Sequence, residues 1–274
     1  MAVINTNTNA QYAQDALKVN AKATANVMQQ LSTGSRINAA RDDAAGLSLA
    51  QNMTSQVRGL NQAVRNVNDS INLLQTADGA LIETSNMLQR MRELAVQSAN
   101  STNSVSQRGY LNNEYLSLKE EISRIASSTL WNNTPIFATG ATANTLTFQA
   151  GMGTGQTIII AISAVDSTAL GVSTTFITSY ASASAALGLI DTAIDAVNAS
   201  RSTMGATMNQ LSYSADNMVN ISTNIAASRS TIMDTDYAIA SAQLAKNQII
   251  NQAATAMLAQ ANQQPQSVLS LLKG

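Results

Sequence analysis

Two stretches of the chain keep an apolar residue on a 4-3 spacing over many turns. The first runs Met53, Val57, Leu60, Val64, Val67, Ile71 and Leu74, slips at Asp78, and resumes at Leu81 and Leu88. The second runs Ile190, Ile194, Val197, Met204, Met208, Leu211, Ala215, Met218, Ile225 and Ile232. Arg201, Ser222 and Arg229 interrupt it on the same spacing. A period of 3.5 residues keeps one stripe facing a partner helix, so it marks long helices wound around one another. The runs are far apart in sequence, so pairing them brings distant parts of the chain together. That predicts a mainly α fold, a long coiled-coil-like helical bundle.

The rest of the chain fits around these runs. The chain has only two prolines, Pro135 and Pro265, so long helices are free to form. A helix is expected over 5–33, where Ala10, Ala13, Leu17, Ala21, Ala25, Met28 and Leu31 form a stripe and Gly34 ends it. Residues 44–100 form the first heptad helix, about 80 Å long at ~1.5 Å per residue. A shorter 4-3 run, Leu111, Tyr115, Leu118, Ile122 and Ile125, folds back on it through the Ser/Asn-rich link from Ser98 to Gln107. Leu146 to Gln149 and Thr157 to Ile162 read as strands of a β-hairpin around Gly151 to Gly155. A second long helix covers 185–233 and a last one 235–272. The last is alanine-rich and nearly uncharged. Such a helix gains stability mostly from a packed face, here the N-terminal helix and neighbouring copies. The terminal helices therefore pair outside the long heptads, with the hairpin in the middle of the chain.

Composition narrows the function. A net charge of −1 leaves no positive footprint for nucleic acid and no polybasic membrane patch. There is no cysteine for a thiolate site. There is no histidine either, which removes the commonest general base at neutral pH and the commonest metal ligand. No catalytic, metal-binding or cofactor-binding residue is expected. With 11% charged and 4% aromatic residues, the surface suits burial against other copies better than life as a free monomer. Met1 to Asn9 lacks the basic start and apolar core of a signal peptide, and no apolar run reaches the length of a membrane span. By these rules alone the chain reads as cytoplasmic, with no membrane insertion.

The chemical candidates reduce to structural roles. The pairs Asp42/Asp43, Glu120/Glu121, Asp191/Asp195 and Asp234/Asp236 read as caps and helix-dipole partners. Gly151-Met152-Gly153-Thr154-Gly155-Gln156 lacks the ending of a phosphate loop and precedes a strand, so it reads as a hairpin turn. Arg201 and Arg229 either pair across the seam and fix register or snorkel out at its edge. Trp131 reads as a core anchor. Leu88 to Leu94, with Arg90 and Arg92 among apolar residues, reads as a solvated helix face.

Several motifs resemble one family. Leu31-Ser32-Thr33-Gly34-Ser35-Arg36-Ile37-Asn38, followed by Arg41-Asp42-Asp43-Ala44-Ala45-Gly46-Leu47, is similar to the N-terminal signature of bacterial flagellins. Leu88 through Asn100 resembles the family's outer-domain helix. Leu146 to Ile158 resembles its β-hairpin, and Ala256 to Gln263 with Pro265, Gln266, Val268 and Leu269 its C-terminus. The match runs along nearly the whole chain in order. Two departures stand out. Trp131-Asn132-Asn133 occupies the place of Phe-Asn-Gly, and the large hypervariable insert between about 140 and 183 is missing.

The resemblance implies the short form of a filament subunit for swimming motility, exported by the flagellar type III route and located outside the cell. That overrides the cytoplasmic reading. Residues 1–44 and 235–274 would form an inner filament-core domain, disordered until assembly. Residues 45–234 would form an outer helical-bundle domain carrying the β-hairpin region. Filament-core assembly would fall to Leu17, Met28, Leu31, Ile249, Ile250, Met257, Leu258, Val268 and Leu269. The outer-domain core would contain Val57, Leu60, Val64, Val67, Ile71, Leu74, Ile194, Val197, Met204, Met208 and Leu211. Implied partners are further copies in a helical homopolymer, a flagellar export chaperone, the filament cap protein and the hook–filament junction protein. The Toll-like flagellin receptor would meet Gln89, Arg90, Glu93, Leu94 and Glu114. Three rival readings are a junction protein forming a short ring, a secreted adhesion module, and a flagellin with a metalloprotease insert. The His-Glu-x-x-His motif of the last is impossible in a chain without histidine.

Overall fold

The computed structural model describes residues 6–138 and 143–273, with side chains as far as Gln263. The Val268 and Leu269 side chains lie outside the described residues. In order come α1 (Thr8–Thr33), α2 (Ala44–Ser98), α3 (Val105–Ser128), β1 (Leu130–Trp131), β2 (Thr134–Pro135), β3 (Asn144–Gln149), β4 (Thr157–Ile162), α4 (Tyr180–Met233) and α5 (Tyr237–Lys273). The chain divides into two compact units, one of Met1–Ser55 with Asn224–Gly274 and one of Gln56–Thr223.

In the first unit, local chemistry sets where the helices start and stop. The Asn7 side chain accepts a hydrogen bond from the Ala10 N–H and caps α1. Gly34 ends it at φ 69°, a left-handed conformation that costs a glycine nothing, and its N–H donates to Gln30 O at 2.9 Å. Asp43 Oδ1 accepts from the Gly46 N–H at 2.8 Å at the start of α2. A Cβ on Gly46 would lie 2.8 Å from Ile37 Cδ1, so this turn needs glycine. Asp236 Oδ1 accepts from the Ala238 and Ile239 N–H groups at the start of α5. The acidic pairs at 42/43 and 234/236 thus contain caps. A short antiparallel clamp ties the two chain passages: Arg36 N–H donates to Met233 O, Thr235 N–H to Gly34 O, and Arg36 Nη2 to Ile232 O.

The α1 and α5 helices run antiparallel along one seam. Asn7 Nδ2 donates to Ala261 O at 2.8 Å, Asn20 Nδ2 to Asn247 O at 2.8 Å, and Tyr237 OH to Leu31 O at 3.3 Å. Their backbones stay within 8 Å of each other along the seam. Alanines account for this, because their small side chains let two backbones come together.

The second unit holds the main core. Leu74, Leu81, Leu88, Met91 and Leu94 of α2 meet no solvent or almost none, as do Tyr115 and Ile122 of α3 and Ile190, Val197 and Leu211 of α4. The 4-3 pattern splits by depth. Leu60, Val67 and Leu74 are buried, while Val57, Val64 and Ile71 lie half-buried at the seam's edge; Ile194 and Met208 do the same on α4. Ser104 starts α3 with a capping box to Gln107.

The breaks in the heptads find each other. Arg201 Nε donates to Asp78 Oδ1 at 2.7 Å, joining the interruption on α4 to the slip on α2. Ser222 Oγ donates to Asn61 Oδ1 at 3.1 Å. Arg229 Nη1, in the first unit, reaches Thr54 Oγ1 at 3.4 Å. Pairing across the seam, and not snorkelling, therefore describes Arg201. The pair is about one-third exposed, so solvent screens it. Asp78→Leu is expected to lower stability by about 1 kcal/mol by stranding the guanidinium. Adding Arg201→Leu should restore most of the loss, and a thermal double-mutant cycle reads the difference.

Strands β3 and β4 pair antiparallel with Thr147 opposite Ile159, and the Ala150–Gln156 loop between them confirms the hairpin turn. Ile160 and Ile162 are buried. A second hairpin, β1 with β2, was not expected. Asn132 and Asn133 form its turn at φ 48° and 63°, a conformation that asparagine tolerates well. Trp131 is only half-buried; Ile136 and Phe137, just beyond the turn, supply the anchor expected of it.

Candidate functional site

The first feature is the outward face of α1 and α5. Only Ala10, Asn20 and Val27 of the 26 residues in α1 are buried. On α5, Ala240 and Asn247 are buried among the described side chains. Pairing the two helices therefore covers a thin stripe on each. Large apolar side chains remain in solvent on both: Tyr12, Val19 and Met28 on α1, and Ile239, Ile249, Ile250 and Met257 on α5. Of the residues expected to assemble, Leu17, Leu31 and Leu258 are half-buried, whereas Met28, Ile249, Ile250 and Met257 are exposed. A groove of about 510 Å³ opens between the helices, lined by Tyr12, Ala13 and Ala16 on one side and Ala254, Met257 and Ala261 on the other. An unpaired apolar surface on this scale marks an interaction site in soluble proteins.

The second feature is a charged face in the other unit. Arg90 Nε donates to Glu114 Oε1 at 2.9 Å, and its Nη1 to Glu93 Oε2 at 2.9 Å, so α2 and α3 share one guanidinium. Hydrogen bonds donated to Glu93 and Glu114 hold the Arg90 pKa above its ordinary value. Arg92 pairs with Asp191 on α4 at 2.6 Å, and that bond raises the Arg92 pKa likewise. Gln89, Arg90, Glu93 and Glu114 are exposed. Leu94 is only 1% exposed. It lies behind this face as core, as do Leu88 and Met91, so the segment is solvated on one side only. The sequence does signal this, because Leu81, Leu88 and Met91 follow helical spacing.

A third set of groups was not foreseen. Residues 163–179 have no regular structure, yet side chains of the helices bind their backbone. Asn112 Oδ1 accepts from the Ile177 N–H, Ser98 Oγ donates to Ile177 O, and Lys119 Nζ donates to Ser173 O. Tyr115 OH bonds the Thr175 hydroxyl in the interior. Burial raises the Tyr115 pKa above its ordinary 10.0, since the phenolate would lose its water. Below 10.0 the neutral ring is retained in both folded and unfolded chains. As pH rises past 10.0 the unfolded chain ionises first, so stability falls until the folded pKa is passed. Denaturation between about pH 9 and 11 should show this loss in the wild type and a shallower one in Tyr115→Phe.

Among the described residues no cluster of three metal-ligating side chains occurs, and no helix is long and apolar enough to cross a membrane. The uncovered terminal helices mark a helical protein with an apolar surface for association. Residues 4–142 match the bacterial flagellin N-terminal helical region, and residues 187–272 the bacterial flagellin C-terminal helical region. The chain belongs to the flagellin family. It is 42% identical to a flagellin of Halalkalibacterium halodurans over 99% of this chain and all of that one. It is 40% identical to the flagellar filament 33 kDa core protein of Treponema phagedenis, again over 99% of this chain and all of the relative. The Bacillus cereus flagellin structure is 33% identical, covers 60% of this chain and 94% of its own, and superposes with a TM-score of 0.49. The chain is thus a structural subunit of the extracellular flagellar filament, self-polymerising and not an enzyme.

Proposed function

We propose that folding of the terminal helices is coupled to polymerisation. The observation that carries this is the exposed apolar face of α1 and α5, which the seam between them leaves uncovered. A helix with so thin a buried stripe gains little from one partner, and copies packed on the other face supply the remaining burial. The ordering entropy is then offset at assembly. Residues 1–44 and 235–274 serve as the inner filament core in this reading, and residues 45–234 as the outer domain. Limited proteolysis of monomer and filament tests it. The termini should be cut in the monomer and protected in the polymer, and equal protection would sink the proposal.

The face built by Gln89, Arg90, Glu93 and Glu114 supports a second role, as ligand of the Toll-like flagellin receptor. The shared guanidinium joins the two carboxylates on one exposed face, and Leu94 is buried beneath it. In a receptor reporter assay Arg90→Ala should cut signalling while the circular dichroism spectrum stays unchanged. Unchanged signalling counts against it. The export chaperone, the cap protein and the hook–filament junction protein complete the proposed partners. The first would cover the apolar face of α5 before assembly, which a pull-down with Ile249→Asp would weaken.

A further inference from the structure

All the sulfur in this chain is methionine: it has 11 methionines and no cysteine. The methionines sort by depth. Met91, Met204 and Met218 are buried in the bundle, and Met53, Met87, Met208 and Met233 are half-buried. Among the described residues three stand in solvent: Met28 at 53%, Met257 at 65% and Met152 at 49% exposure. Met152 belongs to the β3–β4 loop. Met28 and Met257 belong instead to the uncovered apolar faces of α1 and α5, where Met257 lines the groove with Tyr12 and Ala13. The thioethers most open to an oxidant therefore include two on the surface assigned above to polymer contacts.

We infer that Met28 and Met257 form an oxidation site that controls assembly: peroxide converts them to sulfoxides in the free subunit and so blocks its polymerisation. In each reaction one peroxide oxygen bonds to sulfur as the O–O bond breaks. Sulfur gives up two electrons, and the second oxygen leaves as water with both peroxide protons. An apolar, flexible side chain thereby becomes a polar one with a strong hydrogen-bond acceptor. Packing that acceptor against apolar side chains of a copy strips its water and supplies no donor, which opposes association. The filament is extracellular, away from the reductants of the cytosol. Sulfoxide reductases reverse the change, so it acts as a switch. The inference rests on reading the outward face of α1 and α5 as the polymer contact.

The test treats full-length subunit with dilute hydrogen peroxide. Peptide mass spectrometry reads oxidation at each methionine, and sedimentation of seeded samples reads assembly. Met28, Met152 and Met257 should oxidise about tenfold faster than Met91, Met204 and Met218. The oxidised subunit should need a concentration about tenfold higher to polymerise, and methionine sulfoxide reductase should return it to the untreated value. Met28→Leu with Met257→Leu keeps the apolar bulk. It should polymerise normally after the same treatment, although Met152 is still oxidised. Loss of assembly in that treated variant would overturn the inference, as would normal assembly of wild type oxidised at both positions. If the variant fails to polymerise even untreated, the reductase decides: rescue of oxidised wild type supports the switch, and no rescue overturns it. Ile249→Asp with Met257→Asp separates the two readings. Normal assembly of that variant removes the face itself. Its failure to assemble, beside normal assembly of oxidised wild type, removes the oxidation site alone.

Discussion

Ile249→Asp combined with Met257→Asp is expected to abolish polymerisation without unfolding the subunit. Both side chains are 65% exposed, so neither carboxylate is buried within a single chain. Thermal unfolding of the core built by α2, α3 and α4 should be unchanged. If the polymer packs on this face, as proposed, each carboxylate is buried against a neighbouring copy. Desolvating such a charge costs several kcal/mol even after relaxation. A rise of about 3 kcal/mol per added subunit already raises the critical concentration more than a hundredfold. Sedimentation of seeded samples measures it. Assembly at the wild-type critical concentration would place the growth surface elsewhere.

Leu81→Ala should have the largest effect on the subunit itself. Leu81 meets no solvent and continues the buried row of Leu74 and Leu88 on α2. Truncation removes the transfer term and leaves a cavity that rigid helices fill poorly, for a loss of about 3 to 4 kcal/mol. The next residue is the control. Ile82 is 38% exposed, and Ile82→Ala should cost less than about 1 kcal/mol. Urea unfolding of the two variants should separate them clearly. Similar losses would mean that the 4-3 pattern does not mark the core.

The elements that were legible in the sequence share one cause. A residue such as Leu60 or Val197 declares its burial through spacing along its own helix, so α2 and α4 show in a single reading. The β3–β4 hairpin declares itself by Thr157 to Ile162 and the glycines before it. What was not legible depends on residues far apart. Nothing near Ile177 says that Asn112 and Ser98 will bind its backbone. Nothing near Asn20 says that Asn247, 227 positions away, will meet it. The β1–β2 turn had a local signal in Asn132-Asn133, but two asparagines also suit a plain loop. Arg201 showed as an interruption, and its partner showed as a slip at Asp78, yet only the fold joins the two. In sequence Leu94 belongs to a segment that reads as a solvated face, with Arg90 and Arg92 among its apolar residues. Its own spacing places it inside.

The clamp between residues 34–36 and 232–235 bears on the order in which the chain can fold. Joining two ends separated by a flexible loop carries an entropy penalty that grows as about (3/2)RT ln n. For α1 and α5 alone that loop would be the roughly 200 residues between Ser35 and Asp234. Once the intervening helices have folded and the clamp has formed, the effective loop shrinks to a few residues. The penalty on bringing α1 to α5 then falls by about 3 kcal/mol. A weak, alanine-lined pairing that could not survive a long search becomes accessible from a tethered start. The middle of the chain thereby acts as a scaffold on which its two ends find each other.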